Sequence, residues 1–176
     1  MKFLILDRDG TINPDKGYVY KVEDMEFLPG VVDGLKKFQN AGFKFIVITN
    51  QAGIARGLYT EADMHVFHDK MSTELKRFGI EIEAFLFCPH HPEFTGDCAC
   101  RKPKTGLIKS AEQRFGFNAS EAIFIGDKDS DIELGKNCGG LTVLMANDKY
   151  PNKIKPDFKA VSLSNAFDQL REAKLV

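Results

Sequence analysis

The sequence predicts an α/β fold with a central parallel sheet flanked by helices on both faces. Short apolar runs rich in β-branched residues alternate with stretches of helical periodicity, and several of the runs end abruptly in acids, amides or hydroxyls. In a sheet of this kind ligands are held at the carboxyl ends of the strands, which is where those polar residues fall. At 176 residues the chain suffices for one well-buried domain and is short for two, so residues 1–176 are taken as one unit.

Strands are expected at residues 3–6, 43–48, 82–87, 122–125 and 141–144, each an apolar run of strand length. Between them Val31, Leu35 and Phe38 share one helical face, as do Met64, Phe67, Met71 and Leu75, and later Leu107, Ala111 and Phe115. Pro29 ahead of Gly30 and Val31 suits a helix entrance, Gly42 a stop, and Thr60-Glu61-Ala62-Asp63 an N-cap with an acidic third position. Arg101-Lys102-Pro103 is read as the opening of the helix that carries Leu107. A short last strand around Ala160 and Val161 and a closing helix from Ser164 complete the chain.

Composition narrows the function classes. With 43% hydrophobic and 28% charged residues and no low-complexity tract, the chain should fold as an ordinary globular protein. A formal net charge of -1 supplies no global positive field for nucleic acid or an anionic membrane, so neither is expected as a partner. The apolar run that follows Met1-Lys2 is far too short for a signal or membrane segment, which makes a cytoplasmic location the expectation. Thiols should then stay reduced, and three of the four cysteines crowd between positions 88 and 100.

The first strand runs into Asp7-Arg8-Asp9-Gly10-Thr11. Two carboxylates two residues apart suit a nucleophile at Asp7 and a proton carrier at Asp9, although a capped turn uses such acids as well. The second strand ends in Thr49-Asn50-Gln51, where a hydroxyl and free amides suit phosphoryl oxygens; the same residues also make ordinary turns. Arg101 and Lys102 add a guanidinium fork beside a point charge. A fourth apolar run leads into Gly126-Asp127-Lys128-Asp129-Ser130-Asp131, whose oxygens suit magnesium or, for Asp129, merely the positive end of a helix.

In this order, Asp7-x-Asp9-Gly10-Thr11, Thr49, Lys102 and Gly126-Asp127-x-x-x-Asp131 resemble the four motifs of the haloacid dehalogenase superfamily of phosphatases, over nearly the whole chain. The resemblance implies a Rossmann-like domain and a magnesium-dependent phosphoric monoester hydrolase. Asp7 would be the nucleophile, Asp9 the general acid and base, and Thr49 and Lys102 the groups that hold the phosphoryl. Magnesium would bind Asp7, the Asp9 carbonyl and Asp127, with Lys128 adding a backbone carbonyl and Asp131 acting through water. The roughly forty residues between Asp9 and Thr49 are used up by a loop, a helix and a strand, leaving no room for a large cap domain.

A second metal centre is expected in the loop 88–100. Cys88, His90, Cys98 and Cys100 offer three thiolates and an imidazole, a complete tetrahedral shell for structural zinc; His91 is the competing imidazole, and a plain thiol cluster or a local disulfide the alternative. A subset of the superfamily, the heptose 1,7-bisphosphate and histidinol-phosphate phosphatases, resembles this arrangement. The stretches 13–20 and 49–57 look like the heptose enzymes. That resemblance implies a phosphorylated sugar substrate in contact with Asp15, Lys16, Gly17, Tyr18, Asn50, Gln51, Ala52 and Arg101, with Arg101 as the preferred partner of a second phosphate. A monomer is expected. Histidinol phosphate, a phosphorylated nucleic-acid end and a non-catalytic zinc-stabilised binding module are the competing functions.

Overall fold

The protein is described by a computed structural model covering residues 2–176; Met1 lies outside the described residues. Six strands, β1 (Lys2–Leu6), β2 (Phe43–Asn50), β3 (Ile82–Cys88), β4 (Ile123–Gly126), β5 (Leu141–Met145) and β6 (Phe158–Ala160), form one sheet in the order β3-β2-β1-β4-β5-β6. Every pairing is parallel. The helices are α1 (Val31–Asn40), α2 (Ala52–Ala55), α3 (Glu61–Lys76), α4 (Pro92–Thr95), α5 (Gly106–Phe115), α6 (Asp129–Asn137) and α7 (Leu163–Glu172). Among the described residues no helix is long and apolar enough to cross a membrane.

The pleat of β1 divides the core. Leu4 and Leu6 point to one face, where Val31, Leu35 and Phe38 of α1, Phe67, Met71 and Leu75 of α3, and Phe167 and Leu170 of α7 cover them. Phe3 and Ile5 point to the other, packed with Ile108 and Ala111 of α5 and Leu134 of α6. Burial on both faces explains why β1, β2 and β4 read as continuous apolar runs rather than as alternating ones.

The expected strands and periodic helices stand close to where the sequence put them. Thr60 caps α3 as expected, in a reciprocal box with Asp63. Three readings need correction. Arg101-Lys102-Pro103 does not open a helix; it lies in an irregular turn with a cis Lys102–Pro103 bond, and α5 begins at Gly106. The last strand stops at Ala160, and Val161 is 78% exposed beyond it. A sheet covered by helices on both faces implies a buried β3, yet all of its residues but Cys88 are only half-buried, because β3 is an edge of the sheet. The short helices α2 and α4 have too few residues for a periodicity to show.

Candidate active site

The central strands bring their polar ends to one rim of the sheet. Asp7 follows β1, and its amide donates to the Ile125 carbonyl at 2.9 Å, which extends the ladder by one residue and fixes Asp7 beside the end of β4. Carboxylate oxygens of Asp7, Asp127 and Asp131 lie within 4.8 Å of one another, all three residues buried. The glycines are part of this approach: Gly10 has φ +88°, and a Cβ there would stand 2.1 Å from Asp127 Oδ2.

Lys102 enters from the turn ahead of α5. Its Nζ lies 2.7 Å from Asp7 Oδ1, 2.7 Å from the Ile48 carbonyl and 2.6 Å from Asp131 Oδ1, with 4% of the side chain exposed. Asn50 holds the base of that lysine, accepting from the Lys102 amide at 3.0 Å and donating to its carbonyl at 3.2 Å. Burial alone pushes Asp7 up, but Lys102 and Lys128 overcome it and leave its carboxyl below the usual range, so Asp7 is an ionised nucleophile candidate. Asp127 goes the other way: burial, then repulsion from Asp7, pushes its pKa up to about 8. Asp127 Oδ1 is buried without a hydrogen-bond partner, and Lys128 Nζ stands 3.6 Å away. Three crowded hard oxygens with an unsatisfied one among them fit a divalent cation that prefers carboxylates and water. The Lys128 carbonyl accepts the Asp131 amide at 3.0 Å as the first carbonyl of α6, which leaves its second lone pair free for a cation, and the Lys128 ammonium faces the site as well.

Asp9 is held by a residue that sequence reasoning passed over. Arg8 is completely buried; its Nε and Nη2 donate to Asp9 Oδ1 at 3.0 and 2.9 Å, Nη2 also to Asp9 Oδ2 at 2.8 Å, and Nη1 meets His68 Nε2 at 3.1 Å. The guanidinium lies 4.7 Å from the Phe67 ring centroid. Burial, then the Arg8 charge, lowers the His68 pKa to about 3, so His68 is neutral and its Nε2 accepts. On the cavity side Gln51 Nε2 donates to Asp9 Oδ2 at 3.2 Å and to Thr49 Oγ1 at 2.8 Å, and its Oε1 takes the Tyr59 hydroxyl. Burial raises the Tyr59 pKa to about 12, which keeps that hydroxyl a donor.

A recess of about 30 Å³ opens between Asp7, Asp9, Thr49, Lys102 and Ser130. It shares Asp9, Asn50 and Lys128 with a wider cavity of about 300 Å³ lined also by Asp15, Gly17, Tyr18, Gln51, Ala52 and Tyr59, and by Lys149 and Tyr150 of the loop after β5. Two predicted contacts are placed elsewhere. Lys16 pairs with Glu26 at 2.5 Å and lines neither space, and Arg101 donates to the His90 carbonyl at 3.2 Å and lines neither. Tyr59, Lys149 and Tyr150 were not singled out from the sequence, since none belongs to a strand-end motif.

The loop 88–100 gathers Cys88, Cys98 and Cys100 with their sulfurs within 4.8 Å of one another. Cys98 is 3.6 Å from each of the other two, close to the roughly 3.8 Å edge of a tetrahedral zinc shell; Cys88 and Cys100, 2.6 Å apart, must separate by about 1 Å to match it. His90, expected as the fourth ligand, is not in the group. His91 is committed too, its Nδ1 taking the Glu93 amide as the cap of α4 and its Nε2 lying 3.3 Å from Arg56.

A site that assembles a buried carboxylate, a buried lysine and an acidic metal-type cluster at adjoining strand ends has counterparts among known proteins. The family described as polynucleotide kinase 3 phosphatase matches residues 2–167. The chain belongs to that family, within the haloacid dehalogenase superfamily of phosphatases. Against this phosphatase, the D-glycero-alpha-D-manno-heptose-1,7-bisphosphate 7-phosphatase of Photorhabdus laumondii is 37% identical over 172 residues, 95% of the chain and 93% of the relative. The D-glycero-beta-D-manno-heptose-1,7-bisphosphate 7-phosphatase of Escherichia coli K12 is 38% identical over 135 residues, 74% of the chain and 71% of the relative. A crystal structure of D,D-heptose 1,7-bisphosphate phosphatase from B. bronchiseptica, complexed with magnesium and phosphate, superposes with a TM-score of 0.84 at 29% identity, covering 98% of this phosphatase and 99% of that chain.

Proposed function

We propose that this phosphatase removes the C7 phosphate of D-glycero-D-manno-heptose 1,7-bisphosphate, a step toward nucleotide-activated heptose. The observation that carries the chemistry is the buried, ionised Asp7 bonded to Lys102 at the floor of the recess. The choice of substrate is supported by the names of relatives that align over most of the chain.

Asp7 attacks phosphorus and forms an aspartyl-phosphate, while Asp9 protonates the leaving sugar oxygen and then takes a proton from the water that cleaves the intermediate. Thr49 holds one phosphoryl oxygen, and Lys102 holds another by exchanging one of its three acceptors, Asp7, Asp131 or the Ile48 carbonyl, for it; the ammonium offsets the repulsion between a carboxylate and a phosphate dianion. Arg8, Gln51 and Asn13 keep the Asp9 carboxylate at the boundary between recess and cavity. Asp7, the Asp9 carbonyl and Asp127 would hold magnesium, with the Lys128 carbonyl and, through water, Asp131; the ion would neutralise charge that builds on the transferred group. Cys88, Cys98 and Cys100 would hold zinc, with His90 as the fourth ligand once its ring turns toward them, and would brace the turn that carries Lys102. The enzyme is read as a cytoplasmic monomer.

Specificity constants decide the reading. Heptose 1,7-bisphosphate is expected to exceed histidinol phosphate, fructose 1,6-bisphosphate and a 3′-phosphorylated oligonucleotide by about a hundredfold, or roughly 2.7 kcal/mol of transition-state binding. The oligonucleotide is a fair competitor because of the family's description. Equal or higher values for it or for histidinol phosphate overturn the proposal.

A further inference from the structure

We propose that Lys149, on the loop between β5 and β6, is a specificity-determining residue that meets a second phosphate of the substrate in the cavity that Asp9 also lines. The inference rests on the sugar bisphosphate reading above and names the group that makes the second phosphate worth having.

Lys149 and Tyr150 line the 300 Å³ cavity but not the recess where Asp7 sits, while Lys128 lines both. Its Nζ donates to Asp15 Oδ1 at 2.9 Å and to the Asp15 carbonyl at 2.8 Å, and 47% of its side chain is exposed. An ammonium has three N–H groups, so one remains for a ligand. Asp15 does not depend on it: the Gly17 amide reaches Oδ1 at 2.9 Å, the Tyr150 hydroxyl reaches Oδ2 at 2.6 Å, and Lys128 Nζ is 3.0 Å from Oδ2. Two ammonium groups therefore face one carboxylate. Lys128 divides its charge between Asp15 and Asp127, whereas Asp15 is the one carboxylate paired with Lys149 among the described residues. The unused N–H of a half-exposed ammonium on the cavity wall is what an anionic substituent needs.

The backbone that carries the lysine is also anchored to the acidic cluster. Asn147 Nδ2 donates to the Asp127 carbonyl at 2.8 Å, and its Oδ1 accepts the amides of Lys149 and Tyr150 at 3.0 and 2.9 Å. The loop that presents Lys149 is thus tied to the backbone of the acidic cluster itself. Arg101, the cation favoured from the sequence, is turned to the His90 carbonyl and lines no part of this cavity.

The test compares kcat/KM for heptose 1,7-bisphosphate and heptose 7-phosphate in the parent, Lys149→Met, Lys149→Arg and Arg101→Met. The parent is expected to favour the bisphosphate, Lys149→Met to cut that preference at least tenfold through KM, and Lys149→Arg to keep it within about threefold. Equal losses on both substrates in Lys149→Met, as a purely structural lysine gives, overturn the inference. So does a preference that survives in Lys149→Met and vanishes in Arg101→Met. A parent that does not distinguish the two substrates overturns both the inference and the bisphosphate reading, whereas the preceding outcomes leave that reading standing.

Discussion

Replacing Lys102 by methionine removes one ammonium from between two buried carboxylates. The side chain is of similar length, so packing changes little; what is lost are the contacts at 2.7 Å to Asp7 and 2.6 Å to Asp131, and the donor to the Ile48 carbonyl. Removing one partner of a buried ion pair costs about 3–5 kcal/mol, because the other charge stays buried and unpaired. For a domain of this size each kcal/mol lowers Tm by about 2–4 °C, so a fall of roughly 6–20 °C is expected at pH 7 in EDTA. The pH dependence has a definite sign. In the parent Asp7 is held below its ordinary pKa against the upward pull of burial, so its charge stabilises the fold above the unfolded value and that contribution fades as pH falls through the folded one. Without Lys102, burial dominates, the folded pKa rises, and ionised Asp7 becomes a cost that protonation relieves. The gap in Tm between parent and variant should therefore narrow toward pH 4, and magnesium should raise the variant's Tm more than the parent's. Circular-dichroism melts from pH 4 to 8, with EDTA and with magnesium, measure both effects. A variant that melts within about 2 °C of the parent at pH 7 in EDTA refutes the buried charge triangle.

Asp9→Asn should slow turnover by about 10²–10⁴-fold, since it removes a proton carrier and leaves the backbone carbonyl; a rate equal to the parent's across pH would remove Asp9 from that role. Cys98→Ser should reduce zinc content well below one per chain and lower both Tm and activity, with the magnesium requirement unchanged; elemental analysis showing no zinc in an equally stable parent contradicts the metal clip. His68→Phe should flatten the stability loss between about pH 6.5 and 4. Native His68 stays neutral to about pH 3 while the unfolded residue takes up a proton near 6.5, so acid costs up to about 1.4 kcal/mol per pH unit through this group. Parallel Tm-versus-pH curves for parent and variant would show that His68 titrates normally.

The strand ends were legible because burial and chemistry leave opposite signatures there: Phe3 to Leu6 is uniformly apolar, and Asp7 breaks the run. The alternation that located β1, β2 and β4 also located the rim where Asp7, Thr49 and Asp127 meet. What stayed hidden depends on side-chain direction. Arg8 is a charged residue between two acids, which from sequence reads as a solvated position, and only the fold shows it turned inward between Phe67, His68 and the Val19 carbonyl. Arg101 and Lys102 are adjacent and equally basic, yet the turn sends one to a carbonyl of the cysteine loop and the other to Asp7. Lys149 and Tyr150 sit in a segment without periodicity, and Asp15 joins them across more than 130 positions of sequence, a separation no local pattern reports.

The two hydrogen bonds between Asn50 and the backbone of Lys102 have a thermodynamic consequence. A free lysine gives up as much as about 2 kcal/mol of rotamer freedom when it is ordered against a ligand. Here the stem is pinned at its base by Asn50 and at its tip by Asp7, Asp131 and Ile48, so that freedom is surrendered once, when the chain folds. In the proposed function an arriving phosphate would meet a stem whose disorder has already been removed, and the binding free energy of the substrate would not be drawn on to order it.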